Sequence, residues 1–125
     1  MTSTSPPKRV CQIIKLKPSA RDEYIKVHAE VWPGVLAAIA RAHIVDYSIH
    51  YYEPLQLLVA HFKYVGDDYA ADMKTISEDA ETQRWWKLTD GMQESFNVGA
   101  EGSGKDVPWW TDLPEVFRFD GENSS

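Results

Sequence analysis

From Arg9 to Lys17 the run RVCQIIKLK alternates, with Val10, Gln12, Ile14 and Leu16 on one face and Cys11, Ile13, Lys15 and Lys17 on the other. That is the period of a strand, and Pro18 stops it. The pattern then becomes helical. Ser19, followed by Asp22 and Glu23, has the form of an N-cap with acidic residues in the first turn, so a helix is predicted from about Ala20. Its inward stripe is Tyr24, His28, Val31, Trp32, Val35 and Ile39, and Pro33-Gly34 should kink or divide it before it ends near Ala42. Ile44 to Tyr52 and Gln56 to Tyr64 are rich in β-branched and aromatic residues and predict a hairpin across Glu53-Pro54-Leu55. Gly66-Asp67-Asp68 offers a cap for a helix from Tyr69 to about Ser77, with Met73 and Ile76 inward, and a further helical segment runs from about Glu81 to Gln93. Asn97 to Pro108, with three glycines, has the composition of a surface loop and is read as a lid or a linker. Glu115 to Asp120, EVFRFD, alternates as a last strand.

The order strand, helix, strand, strand, helix, strand is that of an α+β, ferredoxin-like βαββαβ fold, with helices on one face of a mostly antiparallel sheet. The other sheet face is left uncovered, which in a chain this small calls for a second copy or a roofed pocket. A homodimer with its ligand cleft at that face is expected. Residues 1–7, rich in Ser, Thr and Pro, are expected to be a disordered lead-in, residues 8–120 a single domain, and residues 121–125 a disordered tail.

Charge and composition narrow the partners. With 19 acidic against 13 basic residues and a net charge of -6, neither nucleic acid nor an anionic membrane is expected as the main partner. No apolar signal core or run of about 20 apolar residues is present, and the lone Cys11 allows no internal disulfide, so a cytoplasmic location is expected. Five Trp and six Tyr are many for 125 residues, and such rings line small-ligand clefts.

Candidate chemistry centres on YIKVHAEVW, where Tyr24 and His28 stand one helical turn apart within an otherwise apolar stripe. An imidazole gives and takes protons near neutrality, and a phenol beside it can orient a hydroxyl-bearing ligand. The plainer reading is a core pair satisfied by backbone carbonyls. His50 and His61 lie on hairpin strands, where an exposed or backbone-bonded His is commonplace. Tyr47 has the better claim if it points to the cleft. Trp85 and Trp86, adjacent on a helix, point about 100° apart, so both cannot occupy the centre of one face. No HExxH, paired-cysteine or His-carboxylate spacing appears, and no metal or cofactor is expected.

Four stretches together resemble the L-rhamnose mutarotase family: PSARDEYIKVHAEVWPGV at Pro18 to Val35, DYSIHYY at Asp46 to Tyr52, QRWWK at Gln83 to Lys87 and LPEVFRF at Leu113 to Phe119. The resemblance implies a dimeric α+β barrel that interconverts the α and β anomers of L-rhamnose, with a monosaccharide as its partner. It places the family's proton donor on His28 and its sugar-binding residues on Tyr24, Tyr47, Trp85 and Trp86. It does not name the base on the opposite side, for which Glu30, His50, Tyr47 and a positioned water stand open. The Asn97 to Pro108 loop and the Trp109-Trp110 pair differ from compact bacterial members, which leaves L-fucose or another 6-deoxy or C4-epimeric sugar as alternatives. Two other readings of the same fold are a cofactor-free oxygenase or isomerase acting on aromatic or polyketide compounds, and a non-catalytic small-molecule binding module.

Overall fold

The alternation in RVCQIIKLK becomes the central strand β1 (Lys8–Leu16), which pairs antiparallel along its length with β3 (Leu57–Tyr64). The computed structural model describes residues 8–121, so the expected lead-in and residues 122–125 lie outside it. β3 pairs in turn with β2 (Ile44–Tyr52), and Glu53-Pro54-Leu55 forms the tight turn between them, closed by Gln56 at φ 52°. The far edge of β1 is shared by β4 (Gln93–Glu94), opposite Lys15 and Leu16, and β5 (Thr111–Asp112), opposite Gln12 and Ile13.

The first predicted helix is divided, as its Pro33-Gly34 pair requires, into α1 (Arg21–Ala29) and α2 (Pro33–Arg41). Pro33 opens α2, where the missing N–H has no intrahelical partner to lose. Ser19 is not the cap of α1. Pro18, Ser19 and Ala20 form a short tight turn of their own, so Ser19 lies inside a turn rather than ahead of the helix. α3 (Tyr69–Glu78) and α4 (Ala80–Asp90) are capped as Asp at this position should cap them: the Asp68 side chain accepts from Ala71 N–H at 3.1 Å and Asp79 from Thr82 N–H at 2.9 Å.

EVFRFD does not form the last strand. The β5 register puts Glu115 opposite Arg9, with which it makes an ion pair at 2.8 Å, and Val116 opposite Lys8, where β1 begins. The paired strand is confined to Thr111–Asp112. Val116, Phe117 and Phe119 are 92%, 80% and 73% exposed, so alternation there has nothing to bury.

The helices cover the face of the sheet that carries Val10, Ile14, Leu16, Leu58, Phe62 and Tyr64. Two apolar clusters form on it. One, around Val10, Ile44, Phe62 and Ile76, lies at the start of β1, and the other, around Ile14, Leu16, Tyr24 and Leu58, at its end. Ile14, Leu16 and Leu58 are the largest fully buried side chains, each worth about 1.5–3 kcal/mol of burial. Between the clusters Gln12 stands opposite Ala60, a polar residue facing the smallest side chain of the row. The ligand-sized cavity opens there, under the helices. The expectation of a cleft on the uncovered face is thereby overturned, because the gap that Gln12 and Ala60 leave is on the inner side.

One irregularity aims a site residue. Between the pairs Val45↔Lys63 and Ser48↔His61, β2 supplies two residues, Asp46 and Tyr47, against Phe62 alone. This is a β-bulge, and Asp46 absorbs it in the left-handed region at φ 52°, which Asp tolerates better than most residues. Strict alternation from the buried Ile44 would send Tyr47 outward. The bulge turns it inward instead, with its ring centroid 5.3 Å from that of Phe62.

Candidate active site

α1 supplies the imidazole. His28 stacks on Tyr24, with ring centroids 4.2 Å apart and planes at 26°, and its Nδ1 lies 2.9 Å from the Tyr24 carbonyl. A carbonyl can only accept, so Nδ1 carries a hydrogen and Nε2 is the nitrogen that gains and loses the proton. Burial lowers the His28 pKa below its ordinary value, and the hydrogen bond to the carbonyl opposes this in part. The plainer reading of the sequence is therefore half realised: one ring nitrogen is satisfied by backbone and the other remains for chemistry.

α4 supplies the aromatic wall. Trp85 is buried, with its ring edge-on to both His28 and Trp32 at 5.1 Å between centroids. Trp86, about 100° further round the helix, is half-buried and roofed by Gly104. At that glycine φ is 77° and a Cβ would stand 2.8 Å from Trp86 Cζ3, so backbone conformation and close approach both require Gly. The loop bearing Gly104 is pinned from α4, where Asp90 accepts from Ser103 N–H at 2.8 Å and from Ser103 Oγ at 2.7 Å. The stretch read as a lid or a linker thus covers the cavity.

The cavity has a volume of about 580 Å³, within the range of small-ligand sites, and His28, Tyr47, Trp85 and Trp86 all line it. Tyr24 does not. It lies behind His28 and faces a second pocket of about 330 Å³ shared with His50 and Tyr51. The hydroxyl of Tyr24 is fixed from the sheet: Gln93 Nε2 donates to it at 3.0 Å, and Trp109 Nε1 donates to Gln93 Oε1 at 2.8 Å. An indole N–H can only donate, so it sets the orientation of the Gln93 amide. Burial drives the Tyr24 phenol pKa far above its ordinary value. Tyr47 is 42% exposed over the whole residue, yet its hydroxyl is desolvated and its pKa is pushed up to about 12.

Trp109, named from the sequence only as a departure from compact members, lines the cavity, as do Gln12, Tyr69 and Asp112, for which the sequence reading gives no site role. Gln12 had a legible signal, as the polar position between the apolar Val10 and Ile14 in the inner row of β1. The others had none, because their roles depend on where the loop returns to the sheet. Neither His61 nor Glu30 lines either pocket. Among the described residues no group of three or more His, Cys, Asp or Glu is placed to hold a metal ion, and no helix is long and apolar enough to cross a membrane. An ionisable nitrogen, phenols and tryptophan faces around a pocket of this size suit proton transfer on a small hydroxylated ligand.

The chain is similar to known proteins over most of its length. The L-rhamnose mutarotase family profile matches residues 9–119. An L-rhamnose mutarotase of Lactiplantibacillus plantarum is 34% identical over 116 residues, covering 90% of this chain and 98% of its own. One from Bacteroides thetaiotaomicron is 32% identical over 105 residues, covering 84% and 91%. The crystal structure of an L-rhamnose mutarotase from Formosa agariphila has the same fold, with a TM-score of 0.69, 20% identity and coverage of 90% of this chain and 99% of that one. Because the matched span runs from β1 through β5 and into the C-terminal segment, it takes in every wall of the cavity. The chain belongs to the L-rhamnose mutarotase family.

Proposed function

We propose that this protein is an isomerase that interconverts the α and β anomers of L-rhamnose by opening and closing the sugar ring. The observation that carries this reading is the His28 imidazole, with Nδ1 committed to the Tyr24 carbonyl and the ring set at the wall of a monosaccharide-sized cavity. The imidazolium Nε2–H protonates the ring oxygen while the anomeric hydroxyl loses its proton, the C1–O bond breaks, and the open aldehyde turns and closes on its other face. Tyr47 binds sugar hydroxyls, and the Trp85 and Trp86 rings take the C–H face and methyl group. Tyr24 acts on His28 rather than on the sugar. The test is saturation-transfer NMR on equilibrated L-rhamnose, where catalytic amounts of protein should speed magnetisation transfer between the two anomeric protons. No acceleration by folded protein would send the assignment to another 6-deoxy sugar, and failure there would end it.

The same reading includes a homodimer. Its support is the uncovered sheet face, which carries Ile13, Leu57 and Val59, and the adjoining C-terminal segment with Val116, Phe117 and Phe119 exposed. Sedimentation should give twice the 14.2 kDa chain mass, and a stable species at the single-chain mass would refute the dimer. A cytoplasmic location is part of the proposal, in keeping with the single free Cys11.

A further inference from the structure

Ring opening needs a proton acceptor for the anomeric hydroxyl as well as a donor for the ring oxygen, and the acceptor must lie in the same cavity as His28. Among the described residues that line it, the groups able to exchange a proton are His28, Tyr47, Tyr69 and Asp112. His28 is assigned to the ring oxygen. The two phenols are held in their protonated form, Tyr47 by desolvation that takes its pKa up to about 12, and Tyr69 by burial first and then by the negative charge of Asp112. They donate hydrogen bonds and are poor acceptors of a proton. Glu30 and His50, open as alternatives from the sequence, do not line the cavity.

Asp112 is the one carboxylate in that lining. It is carried by β5 directly opposite Gln12, and Gln12 Nε2 donates to its Oδ1 at 2.8 Å. That hydrogen bond fixes the carboxylate and leaves its second oxygen for a ligand. The polar break in the inner row of β1 thus has a function: Gln12 both opens the cavity and holds an anion at its rim.

We propose that Asp112 is the base of the reaction, taking the anomeric proton as the ring opens and returning it on closure. On opening, His28 Nε2–H passes to the ring oxygen, the C1–ring oxygen bond breaks, C1=O forms, and the hydroxyl proton moves to Asp112. On closure the new hydroxyl takes that proton back while His28 recovers its own. Atoms and charge balance over the cycle, and no co-reactant is consumed.

This inference rests on the L-rhamnose reading, and the experiment separates the two. Wild type, Asp112→Asn, Asp112→Glu and Asp112→Ala are compared by saturation-transfer NMR on L-rhamnose, each with circular dichroism as a check of folding. Asp112→Asn should lower kcat by about 10²–10⁴-fold with little change in KM. Asp112→Glu should retain part of the rate, and added formate should restore activity to Asp112→Ala, which a merely structural role would not produce. Should Asp112→Asn fail to fold, the glutamate and formate arms carry the test. Wild-type kcat in Asp112→Asn, a change confined to KM, or formate without effect on a folded Asp112→Ala would overturn the base assignment while leaving the mutarotase reading in place. A wild-type protein that does not exchange L-rhamnose anomers overturns both.

Discussion

His28→Ala is expected to lower catalysed exchange of L-rhamnose anomers by about 10²–10⁴-fold, the usual contribution of a positioned acid or base, and to leave the fold intact. The ring is half-buried at the cavity wall, and its one protein hydrogen bond goes to a carbonyl within α1. Alanine removes the proton carrier without leaving a buried charge, and it favours the helix. Normal circular dichroism with wild-type exchange would refute the assignment. The wild-type pH profile gives a second check. Burial lowers the His28 pKa, and donation to the ring oxygen requires the protonated form. The rate should therefore fall as pH rises through a value below the ordinary imidazole pKa of about 6.5, and His28→Ala should lose that limb. The same shift couples to stability: as pH drops below the unfolded imidazole's pKa, the unfolded chain takes up its proton first, so stability is lost as pH falls toward the folded value. An alkaline limb that persists unchanged in His28→Ala would show that another group carries it.

The sequence made the helical pattern around His28 legible because Tyr24, His28, Trp32 and Pro33 lie in one short segment whose geometry is set by the helix itself. Pro33-Gly34 divided the helix where local rules require, and the Asp68 cap followed its rule too. Ser19 did not, because a preceding proline drew it into an earlier turn. Tyr47 shows a limit of pattern reading. Alternation alone assigns it to the outer face, and only a bulge that inserts Asp46 brings it into the cavity. The far wall was not legible for a related reason. Asp112 and Trp109 follow a glycine-rich loop whose return to β1 depends on tertiary hydrogen bonds: Ser95 Oγ donates to the Trp109 carbonyl at 2.7 Å, and Asn97 Nδ2 to the Pro108 carbonyl at 2.8 Å. EVFRFD misled in the opposite way, since its alternation is genuine while the strand stops at Asp112 and Val116, Phe117 and Phe119 stay exposed.

Gln93→Leu is expected to cost both stability and rate, because Gln93 joins the loop to the helix that holds the imidazole. The residue is 3% exposed, and its amide is used at both ends, giving to Tyr24 Oη and taking from Trp109 Nε1. Leucine fills a similar volume but leaves an indole N–H without its acceptor and a buried phenol without its donor. At about 1–3 kcal/mol for each group left unpaired, the loss is roughly 2–6 kcal/mol, a large part of the stability of an ordinary domain. Chemical denaturation should show a lower midpoint with an unchanged slope. The kinetic effect follows from the stacking: Tyr24 lies 4.2 Å from His28, so a phenol freed from Gln93 no longer fixes the ring plane, and kcat should fall by more than KM rises. Tyr24→Phe separates the two contributions. It keeps the ring that stacks on His28 and removes only the hydroxyl that Gln93 holds, so it should retain more of both stability and rate than Gln93→Leu. Equal losses in the two variants would place the role in the Tyr24 hydroxyl itself and remove Trp109 and Gln93 from the support of His28.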